Sequence, residues 1–360
     1  MDINMIPVTK PFLPPKQELY ALLDEVYERN WLTNSGPLVN LLESEIPKFL
    51  NYKGHFSYVN NGTIAIQIAI KALELTGEII TTPFSYVATT SSIVWEGCKP
   101  VFVDIEKGSC NINPKKIEAA ITPQTTGVLA THVYGNPCDV EAIEVIAKKH
   151  NLKVIYDAAH CFGTTYKGKS IFEYGDISTT SFHATKLFHT VEGGALFTNN
   201  KDVAHKINYM RNFGHNGQED FWGIGINGKN SEFHAAMGIA NLKHMSSVLE
   251  KRKEQWLMYR EHLSQDFKVL ELIDEPGFNF AYFPIYFKTE EDLLEKKKLL
   301  DDNHIYCRRY FFPSLNTLNY TESENVFEVS EQQSKLVLTL PLFDKLSKEN
   351  QLLIIKNLLS

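Results

Sequence analysis

Short apolar runs alternate with helix-periodic segments between residues 55 and 200, a pattern that predicts a parallel sheet with crossover helices. The expected strands are His55–Val59, Glu78–Thr82, Pro100–Asp104, Gly127–Thr131, Lys153–Tyr156, Ile177–Phe182 and Ala195–Thr198. Between them, Thr63–Leu75 spaces Ala65, Ile68, Ala69 and Ala72 along one face of a helix, and Asp139–His150 does the same with Val140, Ile143 and Ala147. Beyond Ser231 the texture changes. A long helical stretch runs through Met237, Ile239 and Leu242 to Leu263, followed by strand-like Phe280–Phe287 and Ile305–Tyr310 and a last helix near Lys348–Leu359. At the start, Pro7, Pro11, Pro14 and Pro15 exclude a long regular element, and a helix is expected at Gln17–Glu28.

A chain of 360 residues exceeds the usual single-core size, so two domains are expected, a large one over 1–240 and a smaller one over 241–360. The formal net charge of −7 and the lack of a long Lys/Arg cluster argue against a nucleic-acid partner. No run approaches membrane-spanning length, and the first residues lack the basic and apolar regions of a signal peptide. Five scattered cysteines without C-x-x-C spacing suggest neither a disulfide framework nor a metal site; reduced thiols in the cytoplasm fit.

The candidate chemistry centres on Lys186, in Ser181-Phe182-His183-Ala184-Thr185-Lys186, and on Asp157, 29 residues earlier at the end of an apolar strand. A lysine in a partly desolvated, cation-rich pocket loses its proton readily and forms a Schiff base with an aldehyde. An acid at a strand end pairs with a pyridinium nitrogen and keeps the ring electron-poor. Together they read as a pyridoxal phosphate site. Asn60-Asn61-Gly62-Thr63 lies between a strand and a helix, where free N–H groups favour a phosphate; Thr63 also suits a plain helix N-cap. Ser181 is a second phosphate candidate. Tyr86, after the second strand, is placed to stack on the ring, with a core role as the alternative; the neighbouring Phe84 reads as core. Asp157 also fits a helix cap, and His160 a structural histidine. Gly223-Ile224-Gly225-Ile226-Asn227-Gly228 fits G-x-G-x-x-G, but no buried strand precedes it, which removes the dinucleotide reading; no G-x-S-x-G elbow is present.

With Trp31-Leu32-Thr33-Asn34-Ser35-Gly36-Pro37, Gly97–Asp104 and His132-Val133-Tyr134-Gly135, these motifs resemble the DegT/StrS sugar-nucleotide aminotransferases across nearly the whole chain. The resemblance implies an aspartate-aminotransferase-like α/β fold, with a mostly parallel mixed sheet in the large domain and a smaller α+β C-terminal domain. It implies Lys186 as Schiff-base lysine, Asp157 on the pyridine nitrogen, His160 on the phenolic oxygen, Tyr86 and Ala159 sandwiching the ring, and Gly62, Thr63 and Ser181 on the phosphate. Asn227 would reach the phosphate of a neighbouring subunit in a homodimer with shared active sites. Where many relatives carry Arg, this chain has Lys229, a point charge in place of a bidentate fork. Thr33, His183, Lys229, Arg309 and Tyr310 are the substrate candidates. The implied reaction passes an amino group from glutamate to a keto-deoxy sugar nucleotide used for surface polysaccharides such as lipopolysaccharide O-antigen. The substrate loop and the Arg308–Pro313 segment look most like those of transaminases that aminate carbon 4 of a dTDP-linked 4-keto-6-deoxyglucose. Carbon-3 transfer and a non-catalytic regulator on the same fold are the alternatives.

Overall fold

All seven expected strands form and join one sheet in the computed structural model, which describes residues 5–321, 323 and 325–360. They are β1 His55–Val59, β2 Glu78–Thr81, β3 Lys99–Phe102, β4 Thr125–Thr131, β5 Lys153–Asp157, β8 Ile177–Ser181 and β9 Gly194–Thr198, with a small hairpin of β6 Thr165–Tyr166 and β7 Lys169–Ser170 outside the sheet. The order is β1-β9-β8-β5-β4-β2-β3. β9 runs antiparallel to both neighbours; every other pairing is parallel. The chain turns back between β2 and β4, so a crevice opens outside the carboxyl ends of the central strands, the place where open α/β sheets bind ligands.

Alternation along each strand builds a core on both faces. Val128, Ala130, Val154 and Tyr156 point into one core, against α1 Lys16–Arg29, α2 Pro37–Phe49, α6 Val140–His150 and α8 Glu232–Leu242. Leu129 and Ile155 point into the other, against α3 Gly62–Ala72, α4 Val87–Trp95 and α7 Lys201–Met210. A short α5, Pro114–Ile117, follows β3. A third core surrounds the antiparallel sheet of β10 Lys268–Val269, β11 Pro284–Tyr286 and β12 Val337–Thr339. Against it lie α9 Met245–Leu263, α10 Glu290–Asp302, α11 Glu328–Leu336 and α12 Lys348–Leu359. α9 serves two cores: Met245 and Val248 pack under the large sheet, whereas Trp256, Tyr259 and Leu263 pack under the small one.

The second half departs from the sequence pattern in several places. The helical stretch beyond Ser231 breaks into α8 and α9. Phe280–Phe287 contributes only Pro284–Tyr286 as strand; the residue before the stretch is tied to the turn after β5, where Asn279 Nδ2 donates to the carbonyls of His160 and Phe162 at 2.7 and 3.0 Å. Ile305–Tyr310 forms only isolated bridges, Ile6 with Ile305 and Arg308 with Thr339. In the first half the pattern missed α2, whose N-terminus is capped from afar by Glu232, which accepts from the N–H groups of Leu38 and Val39 at 2.9 and 2.8 Å.

Candidate active site

A cavity of about 280 Å³ lies at the carboxyl ends of β2, β4, β5 and β8, and Asp157 and Lys186 both line it. Asp157 ends β5, and no helix follows it. Its Oδ2 accepts from Thr89 Oγ1 at 2.7 Å and its Oδ1 from the Ala159 N–H at 3.1 Å. Burial raises the Asp157 carboxyl above the ordinary aspartate value, against the opposing pull of Thr89, Ala159 and Lys186. A buried carboxylate in that condition is completed by a cationic partner.

Lys186 follows β8 in a turn closed by its N–H on the His183 carbonyl at 2.9 Å. Burial is the largest influence on its ammonium and pushes it down, but Tyr282, Tyr310 and Asp157 together hold it above the ordinary lysine value. The expected cation-rich surroundings are thereby corrected. The nearest groups are phenols and a carboxylate, which favour the charged lysine.

The phosphate cradle is built by close approach. Asn61, not Thr63, caps α3, accepting from the Ile64 N–H at 2.8 Å. Gly62 and Thr63 then occupy the first turn and line the cavity. A Cβ on Gly62 would stand 2.9 Å from the Ser181 Cβ, and one on Gly194 would stand 2.4 Å from the Asn61 carbonyl carbon. The glycines therefore let α3, β8 and β9 converge, which brings free helix N–H groups and the Ser181 hydroxyl to one point. Ser181 Oγ accepts from the His183 N–H at 3.4 Å, so its proton remains available to a ligand.

Tyr86 and Ala159 both line the cavity, and Tyr86 stays 47% exposed, free of the core role that Phe84 fills. His160 accepts the Tyr134 N–H on Nδ1 at 3.1 Å, which leaves the ring proton on Nε2. Burial first, then Lys186, hold this imidazole well below the ordinary histidine value, so it stays neutral.

The substrate candidates divide. His183 and Tyr310 line the cavity, His183 with Nδ1 2.8 Å from Thr185 Oγ1. Arg309 does not line it: its guanidinium pairs with Glu290, reaches the Lys335 carbonyl at 3.1 Å and lies 3.6 Å over the Phe312 ring. Its neighbour Arg308 is the arginine at the cavity, stacked 4.8 Å over Tyr310. In extended backbone successive side chains point opposite ways, so only one of the two can face the site. Lys229 is engaged by Asn212 at 2.6 Å and by the Phe213 ring, and exposed Thr33 accepts the Trp31 indole N–H on its carbonyl; neither lines this cavity. Asn227 is exposed and likewise outside it. The pattern missed Thr89, Tyr282 and Arg308. Only Arg308 left a signal, by standing next to Arg309.

This donor set fits pyridoxal phosphate. A buried carboxylate lacking a full counter-charge, a neutral imidazole with a free N–H, an exposed tyrosine face and a glycine-built helix N-terminus stand around one lysine. Comparison with known proteins agrees. The DegT/DnrJ/EryC1/StrS aminotransferase family model matches residues 15–359. The chain is 43% identical over 351 residues to a dTDP-4-amino-4,6-dideoxy-D-glucose transaminase of Shigella dysenteriae, covering 95% of each. Among solved structures it resembles DesI, solved in the presence of its TDP-sugar product, with 30% identity and a TM-score of 0.93 over 99% of this chain and 93% of that one. It also resembles ntda from Bacillus subtilis with bound cofactor PMP, with 28% identity and a TM-score of 0.88 over 99% of this chain and 86% of that one.

Proposed function

We propose, for a chain that belongs to the DegT/DnrJ/EryC1/StrS aminotransferase family, that it moves an amino group from glutamate to carbon 4 of dTDP-4-keto-6-deoxyglucose. The product would be a 4-amino-4,6-dideoxyglucose nucleotide for surface polysaccharide synthesis. The observation that carries this reading is the shared cavity of Asp157 and Lys186, in a chain closely similar to a transaminase of that sugar. Two intact chemical groups in one cavity support turnover over a non-catalytic regulator.

Bound pyridoxal phosphate supplies an electron sink that stabilises negative charge on the carbon losing or gaining a proton. The protein's residues do the rest. Asp157 holds positive charge at the ring nitrogen, and Thr89 and the Ala159 N–H keep the carboxylate aimed. Gly62, Thr63 and Ser181 would hold the phosphate, Tyr86 and Ala159 would hold the ring, and His160 would donate Nε2–H to its phenolic oxygen. Lys186 Nζ takes the proton from the donor's α carbon and, in the return half, delivers one to the sugar carbon that receives nitrogen. Such proton transfer is worth about 10²–10⁴ in rate. Asn227 is exposed and does not line its own cavity, and we assign it to the partner's phosphate in a homodimer. We place the protein in the cytoplasm, where its five buried free thiols would stay reduced. Among the described residues no helix is long and apolar enough to cross a membrane.

The test is spectroscopic. Glutamate should bleach the visible band of the holoenzyme, and the keto sugar nucleotide should restore it. Borohydride reduction should fix the cofactor's mass on Lys186, and Lys186→Ala should lose both the mass and turnover. A holoenzyme whose spectrum ignores glutamate would contradict the reading.

A further inference from the structure

A chain of buried hydroxyls runs from the end of β4 to the Asp157 carboxylate. Thr131 ends β4 and is the cross-strand neighbour of Asp157, which ends β5. Ser85, in the loop between β2 and α4, has its Oγ 3.0 Å from Thr131 Oγ1 and 2.7 Å from Thr89 Oγ1. Thr89 in turn donates to Asp157 Oδ2 at 2.7 Å. All four residues are buried, so water competes little for these contacts.

The protons of this chain have one arrangement while Asp157 is ionised. A carboxylate only accepts, and a hydroxyl has a single proton to give. Thr89 spends its proton on Asp157, so it accepts from Ser85; Ser85 has then spent its own and accepts from Thr131. Thr89 stands in the first turn of α4, where a threonine hydroxyl otherwise turns to a carbonyl three or four residues back. The proton it receives from Ser85 polarises its own O–H toward the carboxylate instead. The titratable groups around Asp157 are Lys186, from the turn after β8, and His160 and Cys161, from the turn after β5; burial keeps His160 neutral and the Cys161 thiol protonated. What comes from the side of β2, β4 and α4 is the hydroxyl chain.

We infer that Ser85 is a positioning residue that acts on Asp157 through Thr89, with Thr131 at the head of the chain, and so holds this acid in its ionised, accepting state. The inference deepens the aminotransferase reading and rests on it only for the ring nitrogen that the acid serves. Ser85 and Thr131 also line the cavity, so direct contact with a ligand is the competing account.

The experiment follows protonation of Asp157 in the full chain, with and without bound cofactor, by infrared difference spectroscopy, as the carboxylic acid stretch that Asp157→Asn removes. The pH dependence of the visible band of the holoenzyme is recorded in parallel. Thr89→Val should raise the pH of half-protonation by about 1–2 units. Ser85→Ala should raise it by on the order of half a unit, and should add nothing in the Thr89→Val background. Thr131→Val should move it the same way by less, and Thr131→Ser, which keeps the hydroxyl, should match the parent; this pair serves if Ser85→Ala does not fold. An equal Ser85→Ala shift with and without the Thr89 hydroxyl, or no shift in Ser85→Ala and Thr131→Val, would overturn the chain. If glutamate leaves the visible band unchanged while the infrared shift still depends on Thr89, the aminotransferase reading falls and the hydroxyl chain stands.

Discussion

Thr89, in the first turn of α4, donates its hydroxyl proton to Asp157 Oδ2 across 2.7 Å, although 68 residues separate the two in sequence. The contact fixes the rotamer of the carboxylate and lowers its proton affinity against the raising effect of burial. Thr89→Val keeps the shape and removes the donor. Asp157 should then be protonated at higher pH, so the acid limb of the kcat profile should move upward, with a loss at neutral pH of about tenfold. Asp157→Asn should lose two to three decades, about 3–4 kcal/mol in the barrier. An unmoved acid limb in Thr89→Val would separate the hydrogen bond from the chemistry.

Acid should destabilise the fold through His132. This imidazole is fully buried, stacked 4.5 Å from the Tyr156 ring, and accepts the Cys138 N–H at 2.9 Å. Burial pushes it down to about 3 from an ordinary 6.5. Between those values the unfolded chain binds the extra proton and the folded chain does not. Stability is therefore complete above about pH 6.5 and falls below it by about 1.4 kcal/mol per pH unit for this group. His132→Asn, which keeps an acceptor, should show a shallower acid slope in thermal unfolding between pH 4 and 6, on the order of one proton less. An unchanged slope would place the acid sensitivity elsewhere.

The two adjacent arginines should behave oppositely. Arg309→Ala breaks the partly buried pair with Glu290 and should cost about 1 kcal/mol of stability, with KM for either substrate within about twofold. Arg308→Ala, which removes the arginine at the cavity, should leave the melting temperature nearly unchanged and raise KM for substrate. Thermal melts and steady-state kinetics on the two variants check this, and the reverse pattern would contradict the placement of both side chains.

Subunit mixing tests the proposed role of Asn227. Lys186→Ala and Asn227→Asp proteins should each be nearly inactive alone. In a hybrid dimer one site draws an intact Lys186 from one chain and an intact Asn227 from the other, so part of the activity should return on mixing. No recovery after demonstrated subunit exchange would confine Asn227 to its own chain.

The sheet and the cofactor cradle were legible because their signals are local. Short apolar runs between helix-periodic segments marked all seven strands, and Asp157, Gly62, Ser181 and Lys186 each sit at or just beyond a strand end. What escaped depends on distant partners. The α2 cap is a carboxylate 194 residues away, and Tyr282 reaches Lys186 from a stretch read as strand that is instead pinned by Asn279. The arginine pair failed for a subtler reason: the segment was found, but its orientation follows from the Arg308–Thr339 bridge, which joins β12, an element too short to show a period.

The regiochemistry of the product tests the central claim most directly. Purified holoenzyme is incubated with glutamate and dTDP-4-keto-6-deoxyglucose, and the carbon bearing nitrogen is read from proton couplings by NMR. Transfer goes to the carbonyl that the pocket holds within about 3–3.5 Å of the reacting nitrogen. Nitrogen at carbon 4 is the predicted result; nitrogen at carbon 3, or no reaction with this sugar while a 3-keto isomer turns over, would contradict it.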